Sequence, residues 1–133
     1  MKRLILVIAL TFPLFASPAL FPKYETVRQS LLKSDLAATQ KNAAALAADA
    51  KKAKNATVVE LAQSVEKSRD LAGARRAFGL LSEEMIKVRN GVKGARPAVY
   101  YCSMLKKSWL QPKGQVGNPY DSSMAMCGEL KSE

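Results

Sequence analysis

A chain of 133 residues with 21 lysines and arginines, 11 aspartates and glutamates and no histidine carries a formal net charge of +10, and its length suits one small domain with one modest core. Without histidine the usual ligand of catalytic zinc and of Cu(II) is missing, and so is the commonest general base. No nucleophile motif, glycine-rich phosphate loop or pair of catalytic carboxylates takes its place, and the composition speaks against an enzyme.

The first residues read as an export signal. Lys2 and Arg3 give a positive start, Leu4 to Ala16 is apolar apart from Thr11 and Pro13, and Ser17-Pro18-Ala19 supplies small residues. Together they predict a signal peptide over 1–19, cleaved after Ala19. A membrane-spanning helix needs roughly 20 apolar residues, and this run is shorter and carries a proline. A retained anchor is the alternative. No cysteine follows the run, which argues against a lipid anchor. Cleavage leaves 20–133 as a single exported domain, periplasmic or secreted, with no stable membrane anchor. Loss of Lys2 and Arg3 lowers the formal charge from +10 to +8. The remaining cations are scattered from Lys23 to Lys131. Their one tight group, Lys51, Lys52 and Lys54, falls at an expected helix end, where it complements the helix dipole. A nucleic-acid partner is not expected.

Lys23 to Leu32 reads as a first helix, with Tyr24, Val27 and Leu31 on one face. Leu36, Thr39, Ala43, Leu46 and Ala50 continue the spacing out of phase, so a bend is expected near Ser34-Asp35, either of which can cap the next helix. Lys54-Asn55-Ala56 reads as a turn and Thr57-Val58-Val59-Glu60 as a capping box. Val58, Leu61 and Val65 mark the buried face of a third helix. After a phase change at Arg69-Asp70, Leu71, Ala74, Phe78, Leu81, Met85 and Val88 form the clearest stripe, and Met85 within it reads as core. Glu83 and Lys87 are spaced for a helix-surface pair. Asn90-Gly91 stops the helix, since both tolerate the left-handed conformation. Each helix has a single apolar stripe that must be buried against the others, which predicts a mainly α fold: a three- to four-helix bundle over about 23–90.

Beyond Pro97 the period changes. Ala98-Val99-Tyr100-Tyr101 is rich in strand-favouring residues. Ser108-Trp109-Leu110 suits a partner strand, with Lys106-Lys107 near the turn. Gly114, Gly117, Asn118 and Pro119 mark loops, and from Ser122 to Gly128 regular signals are few. This predicts a short, irregular, β-containing module over about 97–130. It holds both cysteines, the single tryptophan, three of the four tyrosines and three of the five methionines, so the chemistry of the chain is concentrated there. The aromatics Tyr100, Tyr101, Trp109 and Tyr120 read as the core of this module rather than as a binding surface.

Two readings of the sulfurs stand open. Cys102 and Met104 are two residues apart and would share a face of an extended chain. Met124, Met126 and Cys127 form a second group. Thiolate and thioether donors suit Cu(I) or Ag(I). If the two segments meet, Cys102, Met104 and Cys127, with Met124 or Met126, would be the ligands. Alternatively Cys102 and Cys127 form a disulfide, as oxidising compartments allow. Closing a ring of about 26 residues contributes on the order of 3 kcal/mol. The two can coexist as redox states, since a reduced pair binds metal and an oxidised pair does not.

The succession Ala74-Arg75-Arg76-Ala77-Phe78 … Leu81-Ser82, Val99-Tyr100-Tyr101-Cys102-Ser103-Met104, Ser108-Trp109-Leu110-Gln111, Asn118-Pro119-Tyr120 and Met124 … Cys127-Gly128 resembles a bacterial family of unknown function. Its members are small exported proteins, or domains fused to periplasmic adaptor (membrane fusion) subunits of copper/silver-type heavy-metal efflux pumps. The family pattern has Cys-Pro-Met at the first cysteine, followed in some members by a histidine. This chain keeps Cys102 and Met104 but has Ser103 and Leu105 at the other two positions. The resemblance implies a soft-metal accessory protein with a periplasmic efflux adaptor or another envelope protein as partner. The alternative is a non-enzymatic, disulfide-stapled interaction module.

Overall fold

A computed structural model describes residues 17–133, and residues 1–16 of the expected signal peptide lie outside the described residues. Helix α1 spans Leu20–Leu32 and starts three residues before the predicted Lys23. Pro22 falls in its first turn, where a missing N–H has no intrahelical acceptor to lose. The early start adds Leu20 to the stripe of Tyr24, Val27 and Leu31, all of them buried.

Helix α2 spans Leu36–Lys52 and is capped by Asp35, whose carboxylate accepts the Ala38 N–H at 2.9 Å. Ser34 takes a left-handed φ of 52° at the bend. The buried residues of α2 are Thr39, Ala43, Leu46, Ala47 and Ala50. Its small side chains let α1 and the next helix lie close on either side. Helix α3 spans Ala56–Glu66, and its cap is Asn55, which accepts the Val58 N–H at 3.1 Å. The predicted capping box at Thr57 therefore does not form, because the helix begins earlier and Thr57 is already in its first turn. Helix α4 spans Leu71–Asn90, with Asp70 as cap, accepting from Gly73 at 2.6 Å. It ends where expected, but Gly91 has φ −81° and stays right-handed, its N–H turning back to Lys87 and Val88 carbonyls. The predicted Glu83–Lys87 pair is also replaced: Lys87 pairs with Glu84 at 3.4 Å.

Connections of three or four residues fold each helix back on the one before, the short-loop arrangement of an up-and-down bundle. α1 also reaches α4 directly. The Tyr24 ring stacks on Phe78 at 4.8 Å between centroids, and its hydroxyl shares a hydrogen bond with Ser82 Oγ at 2.6 Å. Phe78, Leu81 and Met85 have no exposed surface and form the centre of the core. Among the described residues no helix is long and apolar enough to cross a membrane.

The C-terminal module is a three-stranded antiparallel sheet. Strands β1, Ala98–Cys102, and β2, Lys107–Gln111, form a hairpin across a turn at 103–106. Strand β3, Glu129–Ser132, pairs with the other side of β1. β1 is thus the central strand of the order β2-β1-β3. The register sets Tyr100 opposite Trp109 and Cys102 opposite Lys107. β2 packs on α4, and two buried tyrosines close its outer edge. Tyr24 Oη accepts the Leu110 N–H at 3.2 Å, and Tyr120 Oη donates to the Ser108 carbonyl at 2.5 Å. These hydroxyls satisfy ladder groups that would otherwise be buried without partners. Burial in turn drives both phenols above the ordinary tyrosine range.

Candidate functional site

The site begins with Cys102, at the end of the central strand. Ala98, Tyr100 and Cys102 are the buried positions of β1, and Val99 and Tyr101 between them are half-buried, the alternation a strand imposes. Trp109 stacks beside Tyr100 at 6.1 Å and meets Tyr120 edge-on at 6.0 Å, and Cys102 belongs to the same buried cluster. Tyr101 departs from the expected aromatic core. It sits on the outer face, with the Lys131 ammonium 5.6 Å from its ring centroid.

Whether Cys127 can reach Cys102 depends on the path of the chain after β2, and two buried amides fix it. Gln111 Oε1 accepts from Trp109 Nε1 at 2.9 Å, from the Gly117 N–H at 3.0 Å and from Arg28 at 3.5 Å. Its Nε2 donates to the carbonyls of Pro112 and Gln115. Arg28, itself held by Glu25, also donates to the Gly117 carbonyl at 2.7 Å. Asn118 then bends the chain back. Its Oδ1 accepts the Tyr120 N–H at 2.9 Å, its Nδ2 donates to the Cys127 carbonyl at 3.0 Å, and its own N–H reaches the Ala125 carbonyl at 2.9 Å. A single 3-10 turn, Ser122–Met124, is started by Asp121, whose carboxylate accepts from Ser123 Oγ and N. Those two bonds hold the Asp121 carboxyl below its ordinary value. Arg75, in α4, ties this loop to the bundle by donating to the carbonyls of Pro119 and Leu31 and to Ser34 Oγ.

Cys127 consequently meets Cys102 in a disulfide, with Cα atoms 5.3 Å apart and a sequence separation of 25. Immediately after it the chain passes the indole. A Cβ at Gly128 would lie 2.7 Å from the Trp109 ring and 2.8 Å from Val116, so only glycine fits this close approach.

The methionines are arranged differently from the expectation. β1 ends at Cys102, and Met104 lies in the following turn, 72 % exposed, while Cys102 is 1 % exposed. The two do not share a strand face, because the extended chain stops between them. Met126 is 65 % exposed beside Cys127, and Met124 is half-buried in the 3-10 turn. In the closed disulfide neither cysteine is a thiolate. Two thiolates could be offered to a soft ion only after two-electron reduction of this bond. Among the described residues no three histidine, cysteine, aspartate or glutamate side chains converge as a metal-binding group.

Away from the disulfide, a concavity of about 540 Å³, open to solvent, is lined by residues that include Pro18, Phe21, Pro22, Pro97, Leu110 and Pro112. Arg96 and Lys113 stand at its rim, and both engage Glu133.

Gln111, Asn118 and Arg75 stand in the motif runs and Asn118 marks a loop, but nothing in the local sequence marks them or Arg28 as hydrogen-bond hubs. Only the fold reveals that these polar groups are hubs.

Residues 20–95 match the family described as a protein of unknown function, DUF3347. The matched span is more than half of the chain, and the chain belongs to that family. The match covers the helices and stops before β1, so the disulfide lies beyond it. No curated protein and no solved structure matches the chain.

Proposed function

We propose that this DUF3347 member is an exported, non-enzymatic accessory protein of the bacterial envelope that takes up Cu(I) or Ag(I) as cargo on its Cys102–Cys127 pair. The observation behind this reading is the meeting of two sulfur-bearing segments at one end of the sheet: Cys102 with Met104 just beyond it, and Cys127 with Met124 and Met126 just before it. Reduced, the pair offers two thiolates, and the methionines offer adaptable thioethers, the donors that soft monovalent ions prefer. Oxidised, the same pair staples the tail to the central strand and holds no ion. Delivery would be to an envelope partner, with a periplasmic efflux adaptor the one implied by the family resemblance.

Anaerobic Cu(I) titration against a competing chelator tests the reading. The reduced protein is expected to bind one ion tightly, and the oxidised protein far more weakly, because two thiolate ligands have become a disulfide. Equal affinity in reduced wild type and in the Cys102→Ser and Cys127→Ser variants ends it.

The second reading is the stapled interaction module, which the closed bond and the burial of Cys102 favour. Its mark is a quantitative disulfide in protein taken from the periplasm, with no ion retained after gentle reduction. Free thiols in that material would count against it.

A further inference from the structure

We infer that the Cys102–Cys127 bond opens in one direction: an external thiolate attacks the sulfur of Cys127, and Cys102 departs as the leaving thiolate. Cys127 is thereby the site of mixed-disulfide modification. The use made of this step rests on the redox-dependent reading above, but its chemistry stands on the placement of the two residues.

Thiol–disulfide exchange depends on which sulfur the attacker can reach and on how well the other sulfur carries the departing electron pair. Access separates the two cysteines. Cys102 belongs to the central strand, with β2 on one side and β3 on the other, and is 1 % exposed. Cys127 is half-buried, between exposed Met126 and Gly128, the one residue before β3. β3 is an edge strand, and among the described residues nothing pairs with its outer side. A thiolate arriving from solvent meets the Cys127 side of the bond first.

The exchange balances as follows. The attacking sulfur forms a bond to Cys127 Sγ, the Cys127–Cys102 bond breaks, and its electron pair leaves on Cys102. A second thiolate, from another small thiol or from the second cysteine of a dithiol oxidoreductase, then attacks the modifying sulfur. That step frees Cys127 as a thiolate and leaves the reductant as its disulfide. The product is the dithiol form.

The test requires no metal, so its failure is separable from failure of the binding proposal. The folded, oxidised protein is exposed to excess glutathione, quenched with N-ethylmaleimide, digested and mapped by mass spectrometry. Glutathione on Cys127 with maleimide on Cys102 should exceed the reverse pattern by about tenfold or more, given the access dependence of exchange. Equal or reversed labelling overturns the inference. The same preference must vanish in denaturant; persistence there assigns it to local sequence rather than to the fold, and also overturns it. A dithiol oxidoreductase lacking its second cysteine, used as a protein probe, should be trapped on Cys127 as well, and capture on Cys102 would contradict the assignment.

Discussion

Replacing both cysteines by alanine should lower the stability of this domain by about 3.5 kcal/mol, the chain entropy that a ring of about 26 residues withholds from the unfolded state. The ring follows from a sequence separation of 25 between Cys102 and Cys127. It encloses β2 and the loop organised by Gln111 and Asn118. Against a net stability of about 5–15 kcal/mol for a domain of this size, that is a large share. With a urea dependence of about 2 kcal/mol per molar, the midpoint should fall by nearly 2 M. Trp109 is the single tryptophan, fully buried against Tyr100 and Tyr120. Its fluorescence therefore reports the C-terminal module, while far-ultraviolet circular dichroism reports the four helices. Urea unfolding of wild type, reduced wild type and Cys102→Ala/Cys127→Ala is the assay. The reduced protein and the variant should agree within about 0.5 kcal/mol, since both have lost the same ring. A loss below about 1 kcal/mol in the variant would refute the argument, because the unfolded chain would then gain little freedom when the ring opens.

Two further outcomes follow from the packing around the sheet. Burial, only partly offset by hydrogen bonds to Ser82 and Leu110, raises the Tyr24 phenol above its ordinary value of 10.0, and Tyr120 is raised chiefly by burial as well. Above about pH 10 the unfolded chain releases both protons while the fold retains them. Stability is therefore fully present below that pH and falls above it by up to about 1.4 kcal/mol per pH unit for each phenol. Tyr24→Phe should roughly halve this slope in urea midpoints measured across the alkaline range. It should also cost about 1–3 kcal/mol near neutrality, because the buried Leu110 N–H loses its acceptor; an unchanged slope would exclude the mechanism. Gly128→Ala places a methyl group 2.7 Å from the Trp109 ring. Relief of that overlap should cost about 1–3 kcal/mol and shift the tryptophan emission. Wild-type stability with unaltered emission would show that the approach is not tight.

Residue order sufficed for the bundle. Stripes such as Leu71, Ala74, Phe78, Leu81, Met85 and Val88 are local, and a cap such as Asp35 acts on an amide three residues away. The β1–β2 hairpin was readable for the same reason, its partners lying within a few residues of one turn. Strand β3 was not, because Glu-Leu-Lys-Ser at its exposed edge shows no clear alternation and acquires its role from β1, about thirty residues back. Boundaries slipped where near neighbours competed for one job, as when Asn55 rather than Thr57 capped α3. The two sulfur groups were visible from the outset, but not their meeting. That depended on Gln111, Asn118 and Arg75 bonding to carbonyls and amides across the loop and the bundle. Periodicity carries no information about hydrogen bonds between distant segments. Cys102 and Cys127 become partners only when packing brings their backbones within reach.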